Sequence, residues 1–81
     1  MRNFDELWTA VAATNRLPRQ AILDLPHVIC SHTKRTLASS AMTAAAVAEL
    51  LNRVIDEINA GSVEHVDTLL NRELQHLQVL K

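Results

Sequence analysis

Apolar residues recur along this chain every three to four positions, and no useful stretch alternates them with polar ones. That is the spacing of amphipathic helices. Phe4, Leu7, Trp8 and Val11 make the first stripe, with Asn3 and Glu6 ahead of it at capping-box spacing, which predicts a helix over Phe4 to Thr14. It should stop near Asn15 to Leu17, because the residue before Pro18 is pushed out of the α region. Pro18 suits a first helical position, and Ala21, Ile22 and Leu25 give a short second helix one apolar face. Pro26 is expected to end that helix and open the next.

Projected from Pro26, a third helix places Ile29, Cys30, Thr33 and Leu37 on one side and His27, Ser31, Lys34 and Arg35 on the other. Ser39 to Thr43 supply candidate caps for the clearest amphipathic run, about Ala41 to Ala60. Its apolar arc holds Ala44, Val47, Leu50, Leu51, Val54, Ile55 and Ile58, with Glu49, Arg53 and Glu57 opposite at i,i+4 spacing. Gly61, the single glycine, is a natural residue to follow a helix end, and Ser62 can cap a fifth helix. That helix carries Val63, Val66, Leu69, Leu70, Leu74, Leu77 and Leu80 on one face. The pattern predicts an all-α fold, a compact array or bundle of four to five short helices forming one domain over residues 1–81.

Composition narrows the function classes. With 81 residues the chain buries only about 60% of its unfolded surface, so a lone copy is marginal and an added partner or second copy would help. Phe4 and Trp8 are the only aromatic residues, which makes them expected core residues beside Leu, Val, Ile and Ala. Cys30 is the single cysteine, so no intrachain disulfide can form. The start, Met-Arg-Asn-Phe-Asp-Glu, puts acids where a signal peptide wants basic and apolar residues, and no stretch approaches a membrane span of about 20 apolar residues. The expected location is the cytoplasm.

Net charge is −1, unlike that of a protein devoted to coating phosphate backbones. Residues 1–40 carry five basic side chains against three acids, and residues 41–81 carry three against six. The basic group of Arg16, Arg19, His27, Lys34 and Arg35 could meet an acidic protein or phosphates, or simply keep a helix face solvated. A helix-turn-helix across residues 60–62 is disfavoured, because Glu64 and Asp67 would stand where a recognition helix approaches the backbone.

Candidate chemistry is thin. His27, Cys30 and His32, completed by His65 or His76, could in principle bind zinc, but a lone cysteine at the expected apolar side reads as packing. Cys30 and His32 are two apart on a helix and do not face one another, and neither a phosphate loop nor a nucleophile elbow is present. No catalytic residue, metal site or cofactor is therefore expected. Glu73 is the oddity, since its projection lies inside the apolar stripe among Val66, Leu69 and Leu77. A buried carboxylate needs a partner, either within the fold or on a second chain. The sequence reading is thus a non-enzymatic binding protein, a regulator, adaptor or inhibitor. It would act through protein contacts as a homodimer using Val66, Leu69, Glu73, Leu77 and Leu80, with nucleic-acid binding through the basic face as the alternative.

Overall fold

The computed structural model describes residues 3–14 and 16–79, the final two by backbone alone. Five helices follow in order: α1 (Phe4–Thr14), α2 (Arg19–Val28), α3 (Ser31–Ser39), α4 (Ala44–Asn59) and α5 (Val66–Val79). No strand occurs among the described residues. The predicted all-α array is observed, and α1 spans the expected residues. Its cap also forms, with Asn3 Oδ1 accepting the Glu6 N–H at 2.8 Å.

Four helices close a circuit, α4 packing on α1 and α5 while α3 packs on the other side of both. Each supplies one stripe to a shared aliphatic core whose largest fully buried members are Leu7, Leu37, Leu51, Leu69 and Leu70. Phe4 and Trp8 stay half-buried at its edge, their rings stacked with centroids 6.0 Å apart. Lys34 of α3 lies over the Phe4 ring at 5.4 Å, a cation–π contact that joins α3 to α1.

Helix α2 departs from expectation. Pro18 is its N-cap, one residue before the helix, and Pro26 lies inside it. Proline has no N–H, so the Ile22 carbonyl four residues earlier loses its intrahelical donor. The Trp8 indole N–H fills the vacancy, donating to Ile22 C=O at 3.2 Å. The helix therefore runs past Pro26 to Val28 and is fastened to α1 at the bond its own proline removed.

The break falls instead at Ile29 and Cys30, both in extended conformation. The Asp67 carboxylate, from α5, accepts the Cys30 N–H at 3.0 and 3.3 Å and so competes with the intrahelical bond that would carry the helix onward. His27 consequently belongs to α2. Ile29, Thr33 and Leu37 are buried as expected, but Cys30 is exposed, which corrects its reading as a packed core thiol.

Thr43 caps α4, its hydroxyl accepting the Ala46 N–H at 3.2 Å. The expected apolar arc is buried except at its ends, where Ala44 is half-buried and Ile58 exposed. Glu49, Arg53 and Glu57 bond outward, to Arg16, Glu73 and Arg72 respectively. A Schellman turn ends α4, with the Ser62 N–H donating to Glu57 C=O and the Gly61 N–H to Ile58 C=O, both at 3.0 Å. Gly61 takes φ +97°, the positive region that disfavours side chains.

Helix α5 begins later than expected. The Ser62 hydroxyl accepts the Glu64 N–H inside the connection, and Val63 stands 99% exposed rather than on the helix face. His65 takes the capping position, its Nδ1 3.3 Å from the Asp67 N–H and its carbonyl accepting from Leu69. Among the described residues no helix is long and apolar enough to cross a membrane.

Candidate functional site

Asp67 gathers several partners from two parts of the chain. Besides the Cys30 amide, it lies 3.1 Å from His65 Nδ1, and the Cys30 thiol sits 3.4 Å from the fully buried Thr33 hydroxyl. Burial alone would push the Asp67 carboxyl up. Hydrogen bonds from Thr33 and Cys30 and attraction by His65 outweigh burial and hold it below the ordinary carboxylate range. The thiol's partners are the Asp67 carboxylate and the Thr33 hydroxyl rather than an imidazole, so the cluster is not a Cys–His dyad. Among the described residues no three His, Cys, Asp or Glu side chains gather as a metal site. The cluster ties the start of α5 to the α2–α3 junction.

The basic residues do not act as one free patch. Arg16 is bonded to Glu49 of α4 and Lys34 is laid over Phe4, so two of the five are engaged within the fold. Arg19 and His27 sit at opposite ends of α2, and Arg35 is exposed on α3. Arg72 bridges Glu64 and Glu57, and the Glu64 bond, with both charges, raises its basicity further.

The residues assigned to a dimer interface also divide. Leu69 is 1% exposed in the core of the single chain, so its side chain offers no surface to a second copy. Glu73, with its side chain 18% exposed, has Arg53 of α4 at 3.7 Å. The partner its place in the stripe demands is therefore present within the chain. Val66 and Leu77 are half-buried against the core, and Leu80 lies outside the described residues.

An apolar groove lies elsewhere. A groove of about 320 Å³ runs between α2 and the C-terminal end of α4 and reaches the start of α5. Pro18, Ala21, Leu25 and Val28 form the α2 wall, Ile55, Ile58 and Asn59 the α4 wall, and Val66 the end. Its origin is local: α2 buries only Leu25 fully, while the last turns of α4 extend an apolar edge that α2 leaves uncovered. Val28 is 48% and Ile58 37% exposed, and Gln20 and Asp24 give the α2 side a polar margin. Sequence reasoning missed this groove. Ala21, Leu25 and Val28 carry the signal, an i, i+4, i+7 stripe, but ending the helix at Pro26 hid its last member.

A second hollow, between α3 and α5, is lined by His32, Thr36, Asn71, Leu74 and Gln75. It is a polar surface dip without a convergent set of charged groups. No family model matches the chain, and comparison with characterised proteins and with solved structures finds no match.

Proposed function

We propose that this domain is a non-enzymatic binding module, a regulator, adaptor or inhibitor, that works by docking another protein in the groove between α2, α4 and α5. The observation that carries this reading is the pair of exposed aliphatic side chains, Val28 of α2 and Ile58 of α4, that line one groove together with Ala21, Leu25, Ile55 and Val66. Apolar side chains clustered on a polar-rimmed groove mark interaction surfaces, whereas single exposed ones do not. The mostly aliphatic lining holds a single ionisable side chain, Asp24, with no second acid, base or nucleophile beside it in the groove, which favours recognition over catalysis.

A photo-crosslinking residue at position 28 tests the reading in cells, with position 35 on α3 as the comparison. A discrete protein adduct from position 28 that disappears with Ile58→Asp, while circular dichroism shows that variant folded, is the expected result. Adducts from position 35 alone, or loss of none of them with Ile58→Asp, would overturn it.

A further inference from the structure

We infer that the groove between α2, α4 and α5 accepts an amphipathic helix of a partner protein whose apolar edge is flanked by lysine or arginine. The inference rests on the docking reading above and adds the chemistry of the occupant. A trough between two helices suits a third one, which would place aliphatic anchors at i, i+3 or i+4 and i+7 over Leu25, Ile55 and Val66.

Charge supplies the second half of the argument. Asp24 stands on the α2 wall, and Asp56 is exposed on α4, three residues before Asn59 of the opposite wall. Asp24 is bonded only to the neutral Gln20 amide, and among the described residues neither aspartate joins an ion pair. The other acids on this end of α4 and its connection, Glu57 and Glu64, are already matched by Arg72. No lining residue is cationic. Asp24 in the lining and Asp56 on the exposed flank of α4 outside it therefore give the groove and its surroundings negative charge without an ion pair, which favours a cationic partner and repels an acidic one. A second copy of this chain, docked by two-fold symmetry, would bring these same aspartates toward one another. A small apolar ligand would lie open to solvent, since ligand pockets enclose most of the surface of what they hold.

The probe is a synthetic helix with leucines at i, i+4 and i+7 and lysines on both flanks, set against the same peptide with glutamates on the flanks. Methyl NMR of the full chain reads the site, and titration reads affinity. Two exposed ion pairs gained in one peptide and repulsion in the other predict about tenfold tighter binding of the lysine form. Shifts should centre on Val28, Ile58 and Val66, and Asp24→Asn with Asp56→Asn should bring the two peptides within about twofold. Equal affinity of both peptides for the wild type would overturn the charge inference and leave docking intact. Binding of neither peptide, with the position-28 adduct still formed, would overturn the helical occupant alone. Concentration-dependent shifts of the same methyls without peptide would identify a second copy as the occupant and overturn it as well.

Discussion

The Cys30 amide donates to the carboxylate of Asp67 at 3.0 Å, a bond that spans 37 positions of sequence. It settles where α2 stops, where α3 starts and how α5 enters the fold. Removing the acceptor takes the carboxylate from that amide and leaves the Thr33 hydroxyl with the weakly bonding Cys30 thiol alone. Asp67→Ala should cost about 1–3 kcal/mol near neutrality, read as a lower midpoint in urea unfolding.

The same carboxylate gives stability a defined acid dependence. Its folded pKa lies below the unfolded value of 3.8, so its contribution is present above 3.8 and is lost as pH falls through the folded value. Asp67→Asn cannot titrate. Wild type and Asp67→Asn should therefore differ most near neutrality and converge below pH 3.8. A gap that stays constant into that range would assign the acid sensitivity to other groups.

Cys30 is exposed, with its thiol 3.4 Å from the Thr33 hydroxyl. The native protein should react with a thiol reagent without unfolding, more slowly than the urea-unfolded chain because the thiol is held by Thr33 and Asp67. Cys30→Ala should change stability by about 0.5 kcal/mol or less, as surface substitutions do. Protection of the thiol until global unfolding would contradict its exposure.

Glu73 has Arg53 of α4 at 3.7 Å, and Leu69, Leu70 and Leu77 lie three or four residues away along its own helix. Glu73→Leu exchanges a weak, solvent-screened pair for added aliphatic contact, so stability should be kept or rise by up to about 1 kcal/mol. Arg53→Met leaves the carboxylate behind and should cost about 0.5 kcal/mol. Sedimentation of both variants should match that of the wild type.

Gly61 holds φ +97°, and a Cβ there would meet nothing within 4 Å. The penalty for Gly61→Ala is therefore conformational, about 1 kcal/mol, and Gly61→Asn should cost less because Asn tolerates positive φ better. Thermal melts of the two variants should rank alanine below asparagine.

The helices themselves were legible because their signals are local. The Asn3 cap, the α4 arc and the Gly61 stop each act over one or two turns. What escaped depends on distant groups. Nothing near Ile29 and Cys30 announces a break, since the carboxylate that imposes it arrives from α5. Capping of α5 by His65 rather than Ser62 follows from the same attachment. Glu73 was legible as a residue needing a partner, but Arg53 as that partner required the packing of α4 on α5. The groove was the least legible feature, because Val28 and Ile58 carry the same helical spacing as Leu25 and Val54, and only the short reach of α2 leaves the first pair uncovered.

The bond between the Trp8 indole and the Ile22 carbonyl makes positions 8 and 26 epistatic. Pro26→Ala would return to α2 the N–H it lacks and improve the helix by propensity, yet the new donor would compete with Trp8 for the same carbonyl. A substitution that strengthens the helix would thus loosen its fastening to α1. Trp8→Phe should be costly beside Pro26, where it strands the carbonyl, and milder in the Pro26→Ala background, with a coupling of about 1 kcal/mol in a double-mutant cycle. The variation tolerated at the tryptophan is set by a proline on another helix, through a backbone oxygen that belongs to neither.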